Sequence, residues 1–405
     1  MAGVRLSRRN VLGGLVSTAA AGVALRGTAL ASPAAGEPRR GDGVLRLGSN
    51  ENSAGLGPAA RAAFLAAIDE ANRYPGAGWS TLVDTLTSRH QVDRSFIHLT
   101  PGSGALLSAA TLAFTSASRP LITAAPTFEA PARTASRTGA TVHAVPVTAD
   151  GRLDLNAMLA KAAGAGLVYV CNPNNPTGGG VPGTALAAFV DRLKTVAPDA
   201  RVLVDEAYFE YSDEPGYATA VPLAVADRRV LVTRTFSKVF GMAGLRVGYA
   251  IAHPDTLGAL QERGPDGTLS NASLAAATVA FTDTAHVAAE CARNRAVRQF
   301  TRERFEAAGY RVLPSAANFV MVDIKRDAGS FGWECRRQRI AVARPFPPLD
   351  TCMRLTIGTQ AEMDEAVPAI LGLLQAPPPA SARLRQGSGA GPAHPPFDWI
   401  AGDGC

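Results

Sequence analysis

The chain reads as an α/β protein: a large domain built on a mostly parallel sheet covered by helices, joined to a smaller α+β domain drawn from both chain ends. Two observations predict this. First, short apolar runs rich in β-formers recur through the middle of the chain, with helical patterns between them. They are Leu121-Ile-Thr, Thr141-Val-His-Ala-Val, Leu167-Val-Tyr-Val, Arg201-Val-Leu-Val, Val230-Leu-Val-Thr and Val247-Gly-Tyr-Ala-Ile. Runs that stay apolar without alternation are those buried on both faces, as parallel strands between two helix layers are. Second, the pattern changes after a helical stretch from about Thr284 to Ala308. Gly309-Tyr-Arg-Val-Leu, Asn318-Phe-Val-Met-Val and Arg354-Leu-Thr-Ile then suggest a small antiparallel sheet. At 405 residues the chain has material for both cores.

The elements follow in order. Residues 1–31 hold Arg5, Arg8, Arg9 and Arg26 and no acid, and Ser7-Arg-Arg-Asn-Val-Leu12 resembles a twin-arginine export signal. An apolar stretch from Val11 to Leu25 and an Ala29-Leu-Ala31 cleavage pattern follow. That stretch is too short and too rich in Gly and Ala to be a good membrane span. A basic tail is the plain alternative. The expectation is a bacterial protein passed to the twin-arginine export machinery and working outside the cytoplasmic membrane, its mature chain starting near Ser32. Residues 32–44 are a Pro/Gly/Ala linker. Residues 45–72 open the smaller domain, with a helix expected from Pro58 to Ala71 and stopped by Arg73-Tyr-Pro-Gly76. Residues 73–285 make the large domain, 286–374 complete the smaller one, and 375–405 read as a disordered Pro/Gly-rich tail.

Composition narrows the function classes. The net charge of +6 looks basic, but four of those charges lie in residues 1–31, and the +2 that remains gives a nucleic-acid surface no support. Five cysteines and six histidines show no metal-ligand spacing, so no metal site is expected. Cys171, at the end of an apolar run, reads as a core filler.

Three runs carry the chemistry, in this order: Asn172-Pro-Asn-Asn-Pro-Thr-Gly178, Asp205-Glu-Ala-Tyr208, and Thr235-Phe-Ser-Lys238 with Arg246 beyond it. Each follows an apolar run, at the carboxyl end where open parallel sheets bind ligands. A lysine amine can form a Schiff base with the aldehyde of pyridoxal phosphate (PLP), an acid can hold its ring nitrogen protonated, and a guanidinium fork suits its phosphate. An unpaired Asp205 after Arg201-Val-Leu-Val would be costly to bury, and a protonated ring nitrogen supplies the partner. Gly102-Ser-Gly104 leads into a helix over 105–114, whose N-terminus suits the same phosphate; taken alone, such a loop is more often a plain turn than a site.

These runs, with Asn50-Glu-Asn52, Arg73-Tyr-Pro75, Pro126-Thr-Phe128, Gly244-Leu-Arg246 and Arg354-Leu-Thr-Ile-Gly358, resemble the fold-type I aminotransferases, closest to their histidinol-phosphate branch. The resemblance covers about Leu47 to Leu374. It implies a PLP-binding large domain with a seven-stranded sheet, and Lys238 as the residue that holds the cofactor and moves the proton. Asp205 would sit at the ring nitrogen, with Tyr208 and Asn175 at the phenolic oxygen. Ser103, Gly104, Thr235, Ser237 and Arg246 would surround the phosphate. Phe128 would stack on the ring, lacking the hydroxyl of the usual tyrosine. Tyr74 would cross the interface of a homodimer to the partner's phosphate. Arg354 and Arg344 would grip the substrate's anionic group, with Asn50 and Asn52 beside it. The stretch between the two arginines, Pro345-Phe-Pro-Pro-Leu-Asp-Thr-Cys-Met353, is short and proline-rich, and Ser53 stands where the family commonly has proline.

The function expected is amino transfer between a small anionic amine or amino acid and a keto or aldehyde acceptor. Decarboxylation, β-elimination and amine oxidation stay open, because Lys238, Asp205 and Arg246 serve any of them and pocket shape selects the bond. A non-catalytic binding protein of the same fold is the remote alternative.

Overall fold

The six apolar runs do become strands; five are buried almost throughout, and the edge strand from Thr141-Val-His-Ala-Val is largely exposed. The structure is a computed structural model and describes residues 43–264 and 267–376. The expected signal segment, nearly all of the linker and the tail beyond Ala376 lie outside the described residues. In chain order the strands are β1 (Leu45–Leu47), β2 (Ile97–Thr100), β3 (Leu121–Ala125), β4 (Val142–Pro146), β5 (Leu167–Cys171) and β6 (Arg201–Asp205). There follow β7 (Val230–Thr235), β8 (Gly248–Ala252), β9 (Arg311–Val312), β10 (Phe319–Asp323), β11 (Ile340–Val342) and β12 (Cys352–Thr356).

A seven-stranded sheet runs β2-β8-β7-β6-β5-β3-β4. It is parallel except for β8, which is antiparallel to both β2 and β7. Alternation along the strands divides two cores. Val168, Val170, Val202 and Val204 enter one, beside Leu82, Phe189 and Phe236, whereas Leu167, Tyr169, Cys171 and Leu203 enter the other, beside Leu106 and Phe114. Every residue of β5 and β7 is buried. The register sets Cys171 opposite Asp205 and Asp205 opposite Thr233, so the carboxyl ends of β5, β6 and β7 form one rim.

The three expected C-terminal strands form an antiparallel sheet in the order β12-β10-β9. Its core joins Val320, Val322 and Leu355 to Phe305, Phe331 and Ile370. The long helix Thr284–Ala307 starts on Asp283, whose side chain accepts from the His286 amide. Thr359 and Glu362 form a capping box for the last helix, Gln360–Gln375.

Two pairings were not legible beforehand. β1 lies parallel to β11, Leu45 facing Ile340 and Leu47 facing Val342, and so carries the N-terminal segment into the second core. A three-residue strand is too short to show a period. β2 adds an edge beside β8, its Ile-His-Leu-Thr sequence broken by the polar His98. The helix expected over 58–71 is α-helical only for Pro58–Ala66 and continues as a 3-10 turn at Ile68–Glu70. Its Ala60 packs in a core of the large sheet, so within 45–72 it is β1 that joins the second core. Among the described residues no helix is long and apolar enough to cross a membrane.

Candidate active site

Strand parity places the acid. Asp205 falls two residues beyond Leu203 and so faces the same side as Tyr169, whose hydroxyl donates to it at 2.9 Å. Thr233 donates from β7 at 3.3 Å. The carboxylate is 1% exposed, and burial pushes its pKa up to about 6 against the pull of those two hydrogen bonds and the Lys238 charge. Lys238, three residues past β7, is buried too, and its Nζ stands 5.6 Å from the centroid of the Tyr208 ring. Tyr208 is fixed from both sides: its ring packs edge-on against Phe319, and its hydroxyl accepts from Asn50 Nδ2 at 3.0 Å.

Asn50 takes φ of 54°, which asparagine tolerates better than most residues. Thr356 on β12 brackets it, receiving from its amide and donating to its Oδ1. Asn318 donates to its carbonyl oxygen at 3.0 Å. Asn52, expected beside the substrate, has its amide engaged in scaffolding. It donates to the Val239 carbonyl and to Glu290, and accepts from Arg293. This ties the N-terminal segment to the loop that carries Lys238. A close approach reinforces the tie, since a Cβ on Gly241, at φ of +68°, would lie within about 2.1 Å of the Gly55 carbonyl oxygen.

A polar cradle occupies the start of β8. Thr235 donates to the Ser237 hydroxyl at 2.8 Å, and Arg246 reaches Ser237 at 3.4 Å and the Ala243 carbonyl at 2.9 Å. Arg246 itself sits at φ of 54°, an uncommon conformation for an arginine. Across the β2-β8-β7 register, Gly248 is backed against Gly102 and Ser103 so closely that its Cβ would meet the Ser103 amide at 2.4 Å. The helix expected over 105–114 begins at Ser103, so the Ser103 and Gly104 amides open its first turn. The Ser103 hydroxyl is fully buried and has no hydrogen-bond partner. An orphan of that kind costs roughly 1–3 kcal/mol unless a ligand satisfies it. A buried acid, a buried amine and a donor-rich helix start on one rim fit the ring nitrogen, aldehyde and phosphate of PLP.

Beyond the rim lies a narrow pocket walled by Phe128, Glu129, Asn175, Arg344, Phe346 and Arg354. Asn174 organises the turn beneath it, accepting from Thr127 and donating to the Pro126 carbonyl, which leaves Asn175 to face inward. Arg354 donates to Asn175 Oδ1 at 2.5 Å and to the Gly48 carbonyl at 2.6 Å, with its guanidinium over the rings of Phe319 and Phe346. Arg344 stacks on the other approach to Phe346 and pairs with Glu129. The proline-rich stretch turns tightly, Phe346 bridging to Leu349.

Tyr74 stands apart from all of this, 97% exposed. Tyr169, Thr233, Phe319, Phe346, Glu129 and Gly48 were not anticipated as site residues. The one available signal was parity, which sets Tyr169 on the face of Asp205. Glu206 turns away from the site into a buried ion pair with Arg234. The four described cysteines are unpaired, Cys171 being buried as expected, and no His, Cys, Asp and Glu cluster among the described residues could hold a metal.

Comparison with known proteins agrees with this geometry. The profile of the family "Aminotransferase class I and II" matches residues 42–370. The histidinol-phosphate aminotransferase of Geobacillus thermodenitrificans is 33% identical over 334 residues, 82% of this chain and 90% of that one. The aromatic amino acid aminotransferase of Rhodococcus jostii is 36% identical over 323 residues, 80% of this chain and 88% of that one. The solved histidinol-phosphate aminotransferase of Sinorhizobium meliloti, in complex with pyridoxal-5'-phosphate, superimposes with a TM-score of 0.76 at 26% identity, covering 82% of this chain and 91% of that one. With a family match along most of its length and relatives above 30% identity, the chain belongs to the class I and II aminotransferases.

Proposed function

We propose that the protein is a PLP-dependent aminotransferase that moves an amino group from a small amine or amino acid with an anionic group to a keto or aldehyde acceptor. One observation carries this most directly: Lys238 and Asp205, both buried, stand on the rim that a guanidinium, Arg354 of β12, meets through its bond to Asn175. When bound there, PLP supplies an electron sink for the bond to be broken at the substrate α-carbon. Asp205, held by Tyr169 and Thr233, would keep a proton on the ring nitrogen. The Tyr208 hydroxyl, aimed by Asn50, would serve the phenolic oxygen. Ser103, Thr235, Ser237 and Arg246 would hold the phosphate. Lys238 would take the α-proton and deliver it to the neighbouring C4′ carbon. Phe319 and Phe346 keep water from Arg354 while it anchors the substrate carboxylate.

The test is product analysis with purified holoprotein, 2-oxoglutarate and a panel of donors: alanine, phenylalanine, histidinol phosphate and a diamine. A keto or aldehyde product formed together with glutamate supports amino transfer. Release of carbon dioxide or of ammonia without glutamate would move the assignment to decarboxylation, or to elimination or oxidation.

The assembly proposed is a homodimer with Tyr74 reaching the partner's phosphate site. Its support is the full exposure of an aromatic side chain next to the exposed Leu65 and Ile68. Light scattering giving a monomer mass for active holoprotein would refute it. Export by the twin-arginine route is proposed from Ser7-Arg8-Arg9 and Ala29-Leu-Ala31 alone. Cell fractionation tests it, an uncleaved cytoplasmic chain being the contrary outcome.

A further inference from the structure

Glu129 has an unusual position. It is the residue before the helix Ala130–Arg137, where a carboxylate would ordinarily accept from the first-turn amides, yet its side chain makes no capping bond. It turns to the pocket and binds Arg344 Nη2 at 2.9 Å. Arg344 also donates to the Pro345 carbonyl at 2.9 Å, and its guanidinium lies 4.5 Å from the centroid of Phe346. The Arg354 guanidinium lies 4.7 Å from the same centroid, so both arginines contact one ring. The two cations are thereby treated differently: Arg354 faces inward with Asn175, and Arg344 is matched by a carboxylate of the protein itself.

We propose that Glu129 is a specificity-determining residue, occupying Arg344 so that the outer end of the pocket favours an uncharged aromatic or heteroaromatic side chain over a second anion. The inference rests on the aminotransferase reading. A donor anchored by its carboxylate on Arg354 meets, in the same pocket, the Arg344–Glu129 ion pair and the Phe128 and Phe346 rings. A phenyl or imidazole group can pack against those rings and leave the pair intact. A distal carboxylate or phosphate has first to displace Glu129 from Arg344 and then lie beside the displaced charge. Arg133, one helical turn on, also faces the pocket, but it is exposed at the rim, where solvent and salt screen it.

The experiment compares wild-type holoenzyme with Glu129→Gln and Glu129→Asp. It reads kcat/KM for phenylalanine and glutamate with a common keto acceptor, and the calorimetric Kd of the unreactive acids 3-phenylpropionate and glutarate. The wild type is expected to prefer phenylalanine. In Glu129→Gln the glutamate-to-phenylalanine ratio should rise about fivefold, the size of one half-exposed ion pair. Glutarate should tighten while 3-phenylpropionate stays put, and Glu129→Asp should keep the wild-type order. A wild type that prefers glutamate, or an unchanged ratio in Glu129→Gln, would overturn the inference. A wild type that makes no keto product from either donor would instead sink the aminotransferase reading, while the two acids would still report on Glu129.

Discussion

The two ends of the active site are built differently. At the cofactor end, Asp205, Lys238, Ser237 and Ser103 are all buried, and each stands on or within three residues of a strand end or helix start. At the substrate end, Arg344 and Glu129 form a pair whose side chains are 36% and 41% exposed, contributed by segments far apart in the chain. Rearranging a buried charge costs several kcal/mol, whereas re-pairing a half-exposed one costs less than about 1 kcal/mol. The chemistry is thus fixed on the stiff part of the fold and substrate choice rests on the part that tolerates change.

Replacing Lys238 by Ala should lower the transamination rate by about 10³- to 10⁴-fold or more, with the melting profile retained, because the base and the attachment point go together. A variant that kept wild-type turnover would break the contrast at its stiff end. Next comes a buried pair outside the site. Arg234 and Glu206 are 6% and 1% exposed, with Glu206 also accepting from the Ala220 amide. Glu206→Gln should destabilise the fold by about 3 kcal/mol in urea titrations, since it leaves the buried guanidinium only the more distant Glu210 carboxylate, 3.7 Å away. Turnover per folded molecule should change little. If turnover collapsed while stability held, Glu206 would belong to the site after all.

Asp205 links the two properties through pH. Its folded-state pKa is raised by burial from 3.8 to about 6, so the cofactor-free folded chain holds this proton more tightly than the unfolded chain. Stability from this group is therefore present below pH 4 and lost as pH rises through about 6, by roughly 2–3 kcal/mol. Cofactor-free Asp205→Asn should lack that loss and be the more stable protein at pH 8, yet bind PLP more weakly. Equal pH dependence in the two proteins would show that Asp205 carries no such strain. At the substrate end, Arg354→Lys should raise KM for carboxylate donors by about 10- to 100-fold, the worth of a charge-assisted fork, with a smaller change in kcat. Arg344→Gln should shift unfolding stability by less than about 1 kcal/mol. A larger loss there would mean that the outer end is as rigid as the inner one.

The same contrast explains what could be read from the sequence. The strands carrying Asn175, Asp205 and Lys238 are continuous apolar runs, and the reactive residues follow them directly, so local pattern sufficed for the sheet and its rim. Tyr169 escaped because a tyrosine within Leu-Val-Tyr-Val reads as core until its parity with Asp205 is noticed. Glu129, Phe346 and Gly48 were invisible because their meeting depends on the fold bringing β11, β12 and the segment after β3 together. Asn52 was expected at the substrate for its place beside Asn50, but neighbours in an irregular segment point different ways, and its amide ties Val239 to Glu290. Tyr74 was singled out only by resemblance, and no local pattern marked it.

The most direct test of the account is to load the protein with PLP, fix it with sodium borohydride and map the labelled peptide by mass spectrometry. The account expects a single label on Lys238, absent from Lys238→Ala. A label on Lys161, Lys194 or Lys325, or a chain that takes up no label at all, would contradict it.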